Sequence, residues 1–122
     1  MSGNGWIIVA VAVVALIVVR RIAGGKRVSP MVVLEKIKAG AHIVDVRSPG
    51  EYGSGAYPGA VNIPLQALGA RLGEIPRDRP VVVYCASGMR SASAARVLAH
   101  AGYADVVNAG GLHHMPSPST PG

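Results

Sequence analysis

The chain has 122 residues, 12 Lys+Arg against 6 Asp+Glu, one Cys and no Phe, a length that suits one small domain with an appendage but not two full cores. Half of the residues are apolar and only 15% are charged, which argues against an intrinsically disordered chain, and a single Cys excludes both an intramolecular disulfide framework and a Cys-rich zinc module. The net charge of +6 is unevenly placed: residues 1–27 carry Arg20, Arg21, Lys26 and Arg27 and no acid, whereas residues 28–122 carry eight bases against six acids. A basic cluster beside the most apolar stretch is a membrane-flank pattern rather than a nucleic-acid face.

In chain order, the first segment reads as a single membrane-spanning helix. Every residue from Trp6 to Val19 is apolar, and the uncharged run from Gly3 to Val19 is 17 residues, about 25 Å of helix at ~1.5 Å per residue. Snorkelling of Arg20 and Arg21 extends the span to residues 6–22, and Trp6 stands where an interfacial aromatic belongs. A cleaved secretory signal is the main competitor, but it calls for positive charge before the apolar run and a small-residue cleavage site after it. Met1–Gly5 holds no basic side chain, and the two arginines follow the run directly. The excess of Lys and Arg on the C-terminal side predicts a single-pass membrane protein with the remainder of the chain in the cytoplasm, a compartment that suits one reduced cysteine.

Residues 1–27 are thus expected to form anchor and basic linker, 28–115 one domain, and 116–122 (PSPSTPG at its end) a disordered tail. Ser29-Pro30 predicts a helix start and Ala39-Gly40 its end. His42–Val46 is a β-branched strand, Arg47–Gly59 a loop rich in Gly, Ser and Pro, Ala60–Ile63 a short strand and Leu65–Ile75 a helix. Val81–Tyr84 suits a central strand buried on both faces. Ser91–Ala101 is an alanine-rich helix stopped by Gly102, Ala104–Val107 a last strand, and Gly110-Gly111 the opening of the tail. Alternating strands and helices predict an α/β fold: a small parallel sheet with helices on both faces, and a further short strand if Val28 begins one.

The chemistry points to Cys85, at the carboxyl end of the buried strand and before a helix, where the ligand sites of open α/β sheets collect. The short turn Ala86, Ser87, Gly88, Met89, Arg90 can wrap its N–H groups toward the sulfur, with the positive helix end and the Arg90 charge beside it. Those features favour a thiolate and can hold an anion against it. The bland alternative, a buried cysteine acting as a small hydrophobe, leaves the turn unexplained. His113-His114 are adjacent and lack ligand spacing, so no metal is expected; neither a G-x-S-x-G motif nor a phosphate loop is present.

Four segments carry a resemblance. They are Asp45-Val46-Arg47-Ser48-Pro49-Gly50-Glu51-Tyr52, Gly55-Ala56-Tyr57-Pro58-Gly59-Ala60-Val61-Asn62-Ile63-Pro64-Leu65, Tyr84-Cys85-Ala86-Ser87-Gly88-Met89-Arg90-Ser91 and Asn108-Ala109-Gly110-Gly111. In this order and spacing the chain resembles the single-domain rhodanese family of sulfurtransferases. The resemblance implies that Cys85 takes a sulfane sulfur from a donor such as thiosulfate and passes it from a persulfide to a thiol or cyanide acceptor, without a cofactor. It implies that the backbone of Ala86–Arg90 cradles the sulfur or the anion, and that Asp45 and Arg47 support the loop from behind, where the plain alternative is a surface salt bridge. Glu51, Tyr52 and Asn62 are expected to shape the fold. The C-x4-R spacing of Cys85 and Arg90 is one residue shorter than the C-x5-R loop of related phosphatases, which disfavours phosphatase chemistry. Departures from the family pattern are Ala86, where many active members place Arg or Lys, Ala56-Tyr57 for His-Ile, and Met115 for Trp. The alternative reading is a rhodanese-like binding module or persulfide carrier that docks a protein acceptor at the membrane.

Overall fold

The computed structural model describes residues 4–118, with the side chains of residues 16–24 outside the description. Helix α1 (Gly5–Gly24) is followed by α2 (Pro30–Lys38), β1 (His42–Asp45), α3 (Pro49–Gly53), β2 (Val61–Asn62), α4 (Leu65–Leu68), β3 (Val81–Cys85), α5 (Met89–His100) and β4 (Val106–Gly111). Two 3-10 turns, Leu72–Glu74 and Leu112–His114, complete the order. Among the described residues no helix is long and apolar enough to cross a membrane; the predicted span 6–22 runs partly over side chains that lie outside the description.

The strands form one fully parallel sheet in the order β2-β1-β3-β4. All five residues of β3 are buried, as expected of a strand covered on both faces. Below one face, Leu68 of α4 and Ala94, Ala95 and Leu98 of α5 pack on Val44, Val81, Val83 and Cys85. Against the other, Val33 of α2 packs with Ile43, Val82, Tyr84 and Ala109. Helices therefore lie on both faces, as the alternation predicts. The chain leaves β1 for one neighbour, β2, and later returns to the other, β3, so the order reverses between β1 and β3. That reversal places the crevice of such a sheet at the carboxyl ends of these two strands, where Asp45 and Cys85 stand.

Several sequence expectations are corrected. The loop 47–59 contains α3, started by a full capping box in which Ser48 Oγ accepts from the Glu51 N–H and the Glu51 carboxylate accepts from the Ser48 N–H. The helix expected over 65–75 is two short pieces, separated where Gly69 caps α4. The last strand starts two residues later than expected and runs through Gly110-Gly111 rather than stopping before them. A register shift opposite Val83/Tyr84 absorbs the extra residue, and Gly110 takes φ +86, a conformation open to glycine. Val28 begins no strand; Arg27 makes an isolated parallel bridge to Asn108. Around that bridge the Val28 N–H donates to Asn108 O at 2.9 Å and Asn108 Nδ2 donates to Gly25 O at 3.2 Å. Pro116 is buried, and residues 119–122 of the expected tail lie outside the described residues.

Candidate active site

β3 delivers Cys85 to the crevice with its side chain fully buried, and the turn that follows folds back over the sulfur. Gly88 makes this possible. It caps α5 with φ +104, in the left-handed region that favours glycine, and a Cβ there would lie 3.5 Å from Gly110 Cα. In that conformation the Gly88 N–H donates to Cys85 Sγ at 2.9 Å, and the Ser91 N–H donates to it at 3.4 Å. The Cys85 thiol in turn donates to Ser91 Oγ at 3.4 Å. Ser91 Oγ also sits 3.1 Å from Gly88 O and 3.4 Å from Gly110 O, so its single proton can turn from a carbonyl to the sulfur when the thiol ionises.

Burial pushes the Cys85 thiol up, but the Ser91 hydroxyl and the N–H groups of Ser91, Gly88 and Ser87 outweigh it and hold the thiol below its ordinary value. Arg90 is less available than the sequence suggests. Its guanidinium forks onto Glu51, with Nη1 to Oε1 at 2.7 Å and Nη2 to Oε2 at 3.0 Å. Bonds from Arg90 and from the Ser48 N–H and hydroxyl hold the Glu51 carboxyl down at about 2. The Cys85 charge raises Arg90 further, so the two residues feel each other while two of the guanidinium N–H donors are engaged by α3. The exposed side chains of the turn are Ala86, Ser87 and Met89, none of them charged.

Asp45 and Arg47 form a buried pair rather than a surface salt bridge. Arg47 Nη2 donates to Asp45 Oδ2 at 2.7 Å, and Nε to Oδ1 at 3.0 Å. The pair acts through the residue before the cysteine: Tyr84 Oη donates to Asp45 Oδ2 at 2.8 Å and accepts from the Tyr57 N–H at 2.9 Å. Burial, above all, pushes the Tyr84 hydroxyl up to about 12, so it remains a donor. Asn62 Nδ2 donates to Asp45 O and Arg47 O, locking the bend after β1. The structure thus gathers Cys85, Ala86–Arg90, Asp45 and Arg47 at one end of the sheet. The sequence reading missed Ser91, whose signal was its place in the first turn of the helix after a cysteine. It also missed Glu51 as the partner of Arg90, and His113 as a neighbour of the turn.

A buried thiol ringed by N–H donors at the topological switch of a parallel sheet defines a sulfur- or anion-handling cysteine site. The chain belongs to the rhodanese-like domain family, which matches residues 29–113. It is 44% identical over 66 residues to a sulfurtransferase of Allochromatium vinosum, covering 54% of this chain and 62% of that protein, less than two thirds of the relative's length. It is 38% identical over 86 residues to the thiosulfate sulfurtransferase PspE of Escherichia coli, covering 69% of this chain and 83% of the relative. Among solved structures, a rhodanese with anions from E. coli superimposes with a TM-score of 0.61 at 38% identity, covering 64% of this chain and 94% of that one.

Proposed function

We propose that this protein is a sulfurtransferase that carries a sulfane sulfur as a persulfide on Cys85, tethered to a membrane by α1 with its domain in the cytoplasm. The observation that carries the chemistry is the set of N–H donors from Gly88 and Ser91 aimed at Sγ. They stabilise the attacking thiolate, and the same donors offset charge on a persulfide. With thiosulfate as donor, the Cys85 thiolate attacks the sulfane sulfur, the sulfur–sulfur bond breaks, and sulfite leaves with the electron pair. A thiol or cyanide then attacks the outer sulfur and Cys85 thiolate is the leaving group. The relatives named sulfurtransferase support this reading.

Mass spectrometry of the protein after exposure to thiosulfate tests it. Cys85 should gain one sulfur atom, Cys85→Ser should gain none while remaining folded, and cyanide should remove the added sulfur. Serine is nearly isosteric, but its hydroxyl does not ionise near neutral pH and holds no stable persulfide. Absence of the adduct on the wild-type chain overturns the assignment.

The anchor reading rests on the apolar run and on α1 itself. Twenty helical residues make about 30 Å at ~1.5 Å per residue, and Trp6, Ile8, Val9, Val11 and Val14 stand exposed, an apolar surface that calls for a cover. The full chain should then stay with the membrane pellet in alkaline carbonate, and protease outside intact cells should leave the domain uncut. Digestion of the domain reverses the topology. A second reading, a persulfide carrier serving a protein acceptor, is favoured by the uncharged rim and by Met89, which is 80% exposed.

A further inference from the structure

Resting on the persulfide reading above, we propose that His113 is the base that deprotonates a thiol acceptor at the mouth of the Cys85 site. The placement follows from the sheet. Gly111 pairs in parallel register with Cys85, and paired residues of adjacent strands project to the same face. A Cβ on Gly111 would therefore point to the Cys85 face. There it would meet Ala86 O at 2.5 Å, His113 Cε1 at 2.8 Å and His113 Nδ1 at 3.0 Å. The imidazole edge and the first carbonyl of the catalytic turn thus crowd one point beside the cysteine, and His113 is exposed to incoming molecules.

Its surroundings suit a proton acceptor. The His114 ring lies tilted against it, with 4.1 Å between centroids and 40° between the ring planes. Arg27, from the docked linker, donates from Nη1 to His114 Nε2 at 2.9 Å. Burial, Arg27 and His113 together hold His114 below the usual imidazole range. Among the described residues the other charges about the turn are the Cys85 sulfur, Arg90, which is paired with Glu51, and Arg47, which is paired with Asp45. Ala86, Ser87, Gly88 and Met89 offer no titratable side chain. A thiol arriving at neutral pH is mostly protonated, and the turn itself has nothing to take its proton.

The step balances without a further reactant. Neutral His113 takes the proton of R–SH. The R–S⁻ so formed attacks the outer sulfur of the protonated persulfide, Cys85–S–SH, and R–S–SH forms with that proton as the bond to Sγ breaks. The electron pair leaves on Cys85 as thiolate, and imidazolium returns its proton to solvent.

Discharge is measured separately from loading, on Cys85 persulfide prepared with inorganic polysulfide, which bypasses the choice of physiological donor. Acceptors are 2-mercaptoethanol and sulfite, followed by loss of the sulfur adduct between about pH 6 and 9. In the wild-type chain, thiol discharge should be fast near pH 7, where the free thiol itself is mostly protonated. In His113→Asn it should fall roughly a hundredfold or more near pH 7, in keeping with the usual size of general-base catalysis, and should climb with pH toward the pKa of the thiol. Sulfite, which attacks as an anion, should be consumed at an unchanged rate. Equal slowing with both acceptors makes His113 a structural or electrostatic residue and overturns the inference. So does an unchanged thiol profile in His113→Asn. Failure of thiosulfate to load Cys85 strikes the donor reading alone, since the polysulfide-loaded protein still reports on His113.

Discussion

Ser91 does more for Cys85 than any charged side chain of the turn. Its hydroxyl and its N–H both reach Sγ, at 3.4 Å, and both offset the cost of burying the thiolate. Ser91→Ala removes the hydroxyl and leaves the N–H donors of Ser91 and Gly88 in place. The midpoint of Cys85 alkylation against pH should move upward, with the fold retained; an unmoved midpoint would assign the thiolate to the backbone alone. Asp45 is the other residue whose loss is felt at once. Asp45→Asn strips Arg47 of its counter-charge in a place where the two side chains are 0% and 8% exposed. Leaving a buried charge unpaired costs roughly 3–5 kcal/mol, so the denaturation midpoint should drop steeply even though neither residue touches the sulfur. Sulfur loading at low temperature, where the variant is still folded, should survive in reduced form because Tyr84 loses its ionic acceptor.

At the scale of elements, α3 and the catalytic turn are clamped by Glu51 and Arg90. The folded-state pKa of Glu51, about 2, lies below its ordinary value, so the clamp adds stability that is fully present above the ordinary carboxylate range. That stability is lost as pH falls through the folded value. Glu51→Gln should therefore flatten the loss of stability between about pH 4 and pH 2, read as thermal midpoints across acid buffers. It also frees the Arg90 guanidinium, which should tighten thiosulfate binding and lower the KM for that donor. The elements differ in how openly the sequence declared them. Val81–Cys85 and His42–Asp45 were legible because β-branched runs in a doubly covered sheet leave little choice. The α3 helix was not, although Ser48, Pro49 and Glu51 spell a capping box, because Gly50 and Gly53 make the stretch look like a turn. Leu65, Leu68, Leu72 and Ile75 keep a helical spacing yet belong to two pieces. All four reach the same core, so burial sustained the periodicity after Gly69 had broken the hydrogen bonding. The cysteine and its turn were readable from position, but which partner Arg90 takes depends on a contact 39 residues away. Likewise the place of His113 depends on a strand continuing through two glycines, which local sequence discourages.

Across the whole molecule, the segment between α1 and the domain is part of the domain. Gly25 O accepts from the buried Asn108 side chain, and the Val28 N–H donates to Asn108 O. The Arg27 stem lies across Gly110, where a Cβ would meet Cδ at 2.5 Å. A chain beginning at Gly25 should therefore be more stable than one beginning at Val28. The shorter one leaves Asn108 Nδ2 without its acceptor, a loss of about 1–3 kcal/mol for a buried donor. Thermal midpoints of the two chains decide this, and equal midpoints would make the docking incidental. Both chains retain Cys85, Ser91 and the Ser48–Glu51 capping box, so both should load sulfur.

The same docking has a mechanical consequence. The helix ends at Gly24 and Gly25 O already accepts from Asn108 Nδ2, so on the proposed anchor reading no slack separates helix and domain. Four free residues would give a reach of roughly 14 Å at ~3.5 Å each; here the reach is that of a hinge. If α1 is the anchor proposed above, acceptors would have to come to the domain within a thin layer, and a pull on the helix would be felt first at Asn108 and Gly110.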